Sequence, residues 1–128
     1  MLVPGLVGTV DLVVGDADTA VAIGSGDVPV LATPRLIALF EAAAVAAVAG
    51  ELPGGATTVG TKVDLAHLVA TPPGDRVVCR AELGAVDGRR LTFTLEASDD
   101  RAVVARGSHE RVVVDRASFL ARLDSADE

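Results

Sequence analysis

The chain has 128 residues, half of them hydrophobic, and a formal net charge of -7. That is the length of about one domain with enough apolar material for one core. The acidic balance excludes nucleic acid or an anionic membrane surface as the main partner, because both demand a dominant basic face. Cys79 is the sole cysteine, so no internal disulfide can form, which suits a reducing compartment.

In chain order, Met1 to Gly5 carries no basic region and is soon followed by Asp11, Asp16 and Asp18, which does not read as a signal peptide. Residues 6–23 are rich in Val, Leu, Thr and Gly and predict one or two strands, and the stretch from Gly24 to Pro29 predicts a turn-rich loop. Thr33-Pro34 is a helix start, with Thr33 as the cap and Pro34 as the first helical residue, and Gly50 and Pro53 give the stop. The apolar run from Leu36 to Ala49 is too short to span a bilayer and carries Glu41 at its centre, so the reading is of a cytoplasmic protein. Glu41 is the single ionisable group in that run. A carboxylate there must be solvated, paired or chemically employed, since an unpaired buried charge costs several kcal/mol, on the order of a small domain's whole stability.

From Ala56 the pattern has period two. Val59, Thr61, Val63, Leu65, His67 and Val69 share one face by parity, so His67 points toward the helix, where it can meet Glu41. Gly60 marks either a bulge or a close backbone approach. Thr71-Pro72-Pro73-Gly74 ends this strand, and Val77, Cys79, Ala81 and Leu83 face inward on the next. Asp87-Gly88 predicts a tight hairpin into Leu91, Phe93, Leu95 and Ala97. A long strand from about Ala102 to Val114, a short helix near Arg116 to Leu123 and a frayed acidic tail from Asp124 to Glu128 complete the chain.

One long apolar helix and four to six antiparallel strands pack as an α+β fold with a curved sheet wrapped round the helix. The helix is apolar on nearly every side, so a second copy is expected to cover the remainder or to extend the sheet edge. His109 and Glu110 form no convincing metal set, and Gly24-Ser25-Gly26 and Gly54-Gly55 lack the context of a phosphate loop. Cys79, inside a strand, reads as inert filling. Arg76, Arg80, Arg89 and Arg90 read as ordinary surface.

Ala32-Thr33, Glu41 eight positions on, His67 before Val69-Ala70-Thr71-Pro72-Pro73-Gly74, the Val86 to Leu91 hairpin, and Gly107-Ser108-His109-Glu110-Arg111 share order and spacing with one family. The chain resembles the fluoroacetyl-CoA thioesterase branch of the hotdog superfamily from about Leu31 to Val114. The resemblance implies a single hotdog domain over residues 1–128, a homodimer joined edge to edge, with tetramers left open, and metal-independent hydrolysis of an acyl-CoA thioester. No cofactor is implied beyond the CoA of the substrate. It further implies a catalytic set of Thr33, Glu41 and His67, a Gly60 N–H that receives the thioester carbonyl oxygen, and Arg111 ordering the site. The family's specialised member closes its acyl pocket with aromatic residues before the helix, and the stretch from Gly24 to Pro29 has none.

The residues themselves leave Glu41 as nucleophile or general base, and His67 as general acid-base. Two other readings stand beside hydrolysis: a non-catalytic hotdog dimer that binds an acyl thioester or another small acyl ligand, and an enoyl-CoA hydratase.

Overall fold

The structure is a computed structural model that describes residues 1–126. Five strands, β1 (Val7–Val13), β2 (Ala56–His67), β3 (Arg76–Asp87), β4 (Arg90–Ser98) and β5 (Val103–Asp115), form one sheet in the order β1-β3-β4-β5-β2. Every neighbouring pair is antiparallel. β1 and β2 are therefore the edges. Helices are α1 (Ala20–Ile23), α2 (Thr33–Val48) and α3 (Arg116–Ala126). The predicted α+β fold is found, with the sheet curled over α2.

The strand alternation of β3 and β4 holds: Val77, Cys79, Ala81, Leu83, Leu91, Phe93, Leu95 and Ala97 are all buried. They meet Leu36, Leu39, Phe40, Ala43, Ala44, Ala47 and Val48 of α2 in one core. The helix sits close because Gly8 of β1 offers no side chain. A Cβ there would lie 2.0 Å from the Ala43 carbonyl oxygen and 2.5 Å from the Ala47 nitrogen.

Three expectations need correction. Residues 6–23 hold only one strand; after Val13 the chain makes a 3-10 turn at Asp16–Asp18 and then the short α1. The Asp18 carboxylate accepts from the Gly15 N–H at 2.9 Å, and the Thr19 hydroxyl accepts from the Ala22 N–H at 3.3 Å, so local capping outweighs β propensity. Second, Ala32, not Thr33, occupies the cap position of α2, and Thr33 is already helical. Third, β2 carries a bulge between Gly60 and Lys62, where Gly60 faces Arg111 and Lys62 faces Glu110. The extra residue reverses the parity, so Thr58 and Gly60 face the helix side before it and Val63, Leu65 and His67 face it after. Val59 and Thr61 do not share His67's face.

The hairpin turns at Gly88-Arg89, between the paired Asp87 and Arg90, with Gly88 at φ 59°. Of the tail expected to fray, Asp124 to Ala126 continue α3, and Asp127 and Glu128 lie outside the described residues. No helix among the described residues is long and apolar enough to cross a membrane.

Candidate active site

The five candidate residues fall into two groups at different points along β2. The first surrounds Glu41. Arg111 Nη1 donates to Glu41 Oε2 at 2.9 Å, while its Nε donates to Thr58 Oγ1 at 2.9 Å and its Nη2 to the Thr58 carbonyl at 3.1 Å. The guanidinium is buried, and 42% of the Glu41 side chain remains exposed. Glu41 is thus paired on one side and open on the other. Gly60 lies directly beneath it: a Cβ there would be 2.5 Å from Glu41 Oε2 and 3.1 Å from Arg111 Nη1.

His109 completes this group; sequence reasoning weighed it as a metal ligand and carried it in the Gly107 to Arg111 motif, but gave it no role at the site. It is 1% exposed. Its Nδ1 is 2.7 Å from the Lys62 carbonyl, and its Nε2 is 3.2 Å from Arg111 Nη1. A carbonyl can only accept and a guanidinium can only donate, so the ring is neutral with its proton on Nδ1. Burial, the largest influence, pushes its pKa below the ordinary value, which agrees with that tautomer. The available signal was positional: His109 and Arg111 lie two apart on β5 and so share a face.

The second group is Thr33 with His67. Thr33 Oγ1 is 2.8 Å from His67 Nδ1. Because Ala32 holds the cap position, the Thr33 hydroxyl is free for the imidazole. His67 Nε2 is buried with no hydrogen-bond partner among the described residues. Burial lowers the His67 pKa, a pull that the Val69 backbone partly opposes, so the ring is neutral and ready to accept a proton near pH 7. A cleft of about 260 Å³ opens beside the pair, walled by residues that include Ala20, Val30, Leu31 and Val69.

Glu41 and His67 do not meet within one chain. Glu41 bonds Arg111 over Gly60, and seven residues of strand carry His67 roughly 20 Å further along β2. Parity rightly turned His67 toward the helix side, but it carries no information on how far apart along the helix two inward residues land.

Cys79 is buried and its thiol is pushed up to about 12 by that burial, so it is no nucleophile at neutral pH. Arg76 and Arg80 are exposed and paired with Asp11 and Glu82. Among the described residues no cluster of three His, Cys, Asp or Glu is placed to hold a metal ion.

The sheet curled over one helix, with Glu41 and Thr33 of α2 set against Gly60 and His67 of β2, is the hotdog fold of thioester hydrolases. A hot-dog-like protein from Thermanaerovibrio acidaminovorans superposes with a TM-score of 0.88, at 24% identity, over 96% of this chain and 91% of that one. Residues 14–117 match the family described as fluoroacetyl-CoA-specific thioesterase, and the chain belongs to that family. A fluoroacetyl-CoA thioesterase of Streptantibioticus cattleyicolor is 39% identical over 94 residues, 73% of this chain and 68% of that protein. A crystal structure of a variant of the fluoroacetyl-CoA-specific thioesterase superposes with a TM-score of 0.90 at 32% identity, over 98% of both chains.

Proposed function

We propose that the protein hydrolyses a small acyl-CoA thioester at a site shared by two copies of the chain, without a metal or added cofactor. The observation that carries this reading is the separation of the two groups along an edge strand. Among the described residues β2 has a partner on one side only, β5. Two such edges pair readily in an isologous, antiparallel manner. With the two-fold near Val63 and Asp64, Gly60 faces His67 of the partner subunit, since the two residues lie equally far from that point. Each dimer then holds two complete sites. The exposed outer face of α2, with Ala38, Ala42, Val45 and Ala46, supplies further apolar surface for the same contact.

In this arrangement Glu41 draws a proton from the water that attacks the thioester carbonyl carbon, or itself attacks that carbon to form an anhydride that water then hydrolyses to the free acid and Glu41. The carbonyl oxygen gathers negative charge and is received by the Gly60 N–H. As the C–S bond breaks the sulfur leaves as the thiolate; the imidazole from across the interface, neutral at rest, takes up the proton that water releases, directly or by way of Glu41, and passes it to that thiolate, while the Thr33 hydroxyl holds the ring in place. Arg111 fixes the Glu41 carboxylate through one oxygen and leaves the other for chemistry. A lone buried thiol and a CoA-borne substrate suit a cytoplasmic enzyme.

Free-thiol release from a panel of small acyl-CoA thioesters tests the activity: turnover is expected, and Glu41→Ala or His67→Ala should abolish it. Mixing these two inactive variants and allowing subunits to exchange should restore roughly a quarter of wild-type activity, because each mixed dimer regains one intact site. A mixture that stays inactive after exchange would place both residues in one chain's site and remove the shared arrangement. Absorbance change at the acyl group without thiol release would instead mark a hydratase.

A further inference from the structure

The cleft beside Thr33 and His67 defines what the acyl group can be. It lies beside the polar pair, between the segment after β1 and the chain leaving β2. Besides Thr33 and His67 at the polar pair and Ser25 on its loop side, the side chains that line it are apolar, and Leu31 closes it from within at 1% exposure. No charged side chain lines it among the described residues. The neighbouring cation, Arg35, is held elsewhere, its Nε 2.9 Å from the Asp18 carboxylate. A carboxylate or ammonium group on the acyl chain would enter this space unpaired, which is costly.

Resting on the thioesterase reading above, we propose that the cleft is the acyl subsite and that it selects an uncharged aliphatic acyl group of about four to six carbons over two-carbon acyl groups. The volume of about 260 Å³ supports this size. At roughly 30 Å³ for each water-sized group, a two-carbon acyl group leaves most of the space to water, whereas a chain of four to six carbons covers the apolar walls. Each methylene moved from water onto those walls is worth roughly fourfold in kcat/KM, so two of them give about fifteenfold.

The test is kcat/KM by thiol release on acetyl-, fluoroacetyl-, butanoyl-, hexanoyl-, decanoyl- and succinyl-CoA. Butanoyl- or hexanoyl-CoA should lead acetyl- and fluoroacetyl-CoA by at least tenfold, and succinyl-CoA should fall at least a hundredfold below butanoyl-CoA. Filling the cleft with Ala20→Phe, or from its loop side with Ser25→Phe if the first variant fails to fold, should lower hexanoyl turnover at least tenfold more than acetyl turnover. A maximum at acetyl- or fluoroacetyl-CoA, efficient turnover of succinyl-CoA, or an unchanged hexanoyl-to-acetyl ratio in folded variants would each overturn the assignment. Absence of thiol release from every substrate would instead remove the hydrolase reading on which it rests.

Discussion

Arg111 Nη1 and Glu41 Oε2 stand 2.9 Å apart, with the cation buried and the carboxylate half open. The asymmetry has a chemical meaning. The guanidinium is held by Thr58 through both its hydroxyl and its carbonyl, so Arg111 is a fixed bracket and Glu41 the adjustable part. Arg111→Lys keeps the charge but cannot make three directed bonds from a planar fork. It should lower kcat about a hundredfold while the thermal midpoint falls by only a few degrees. Arg111→Met, which removes the fork altogether, should also cost about 2 kcal/mol of stability by orphaning the Thr58 groups. Retention of full kcat in Arg111→Lys would show that charge alone suffices.

His109 has a separable part in the same bracket. Its Nε2 accepts from Arg111 and its Nδ1 donates to the Lys62 carbonyl beside the bulge. Gln at this position can present an acceptor near Nε2, and Asn can present a donor near Nδ1. If orientation of Arg111 matters most, His109→Gln should retain at least tenfold more kcat than His109→Asn, at similar KM. The reverse order would give the bulge clamp the larger part. Steady-state kinetics on both variants, with thermal melts to confirm folding, decides between them.

How far the sequence reached follows from what each pattern encodes. The inward faces of β3 and β4 were legible because the irregularities of their ladders, between Leu83 and Ala85 and between Ala97 and Ser98, fall outside the alternating runs of period two that build the core. On β2 the same rule failed at Gly60, since a single inserted residue flips every later side chain relative to the earlier ones. Gly60 itself was readable as a bulge or a close approach, and it is both. The separation of Glu41 from His67 was not readable, because it depends on the angle at which β2 crosses α2. Thr33 was assigned to the cap on local preference, but its hydroxyl goes to an imidazole 34 residues away, a long-range partner no local rule can supply.

That released hydroxyl gives a clean test. Thr33 makes no capping bond, so its loss should leave α2 intact. Thr33→Val preserves shape and removes the bond to His67, whereas Thr33→Ser preserves the bond. The valine variant should lose about tenfold or more in kcat with an unchanged melting profile, and the serine variant should stay within about threefold of the parent. Equal activity in the two would confine Thr33 to a packing role.

Acid should weaken the protein in two stages. Burial is the leading cause that keeps the pKa values of both His67 and His109 below the ordinary 6.5. The unfolded chain therefore binds protons that the folded one refuses, so stability rises with pH up to about that value and falls as pH drops through it toward the folded values. Asp18, Asp99 and Asp115, each held below 3.8 by hydrogen bonds, stay ionised through this window and lose their contribution only under stronger acid. The melting temperature should thus be lower at pH 5.5 than at pH 7.5, and His109→Gln should shrink the difference. Activity that needs neutral His67 should hold at pH 6.5 and decline only below it. A melting temperature independent of pH between 5.5 and 7.5 would contradict the buried neutral rings.

Two glycine substitutions should give opposite results. At Gly8 a new Cβ would strike backbone atoms of α2, 2.0 Å from the Ala43 oxygen and 2.5 Å from the Ala47 nitrogen. Neither atom can yield without moving the helix off the sheet. Gly8→Ala should cost about 3 kcal/mol or more, visible as a large drop in the denaturant midpoint. At Gly60 the nearest atom is Glu41 Oε2 at 2.5 Å, the far end of a flexible side chain that can swing aside. Gly60→Ala should therefore change the midpoint little, yet displace the carboxylate from Arg111 and reduce kcat by at least tenfold, even though alanine retains the backbone N–H. If Gly60→Ala unfolds the protein, the space beneath Glu41 is rigid; if it leaves kcat unchanged, the placement of Glu41 over that glycine has no part in catalysis.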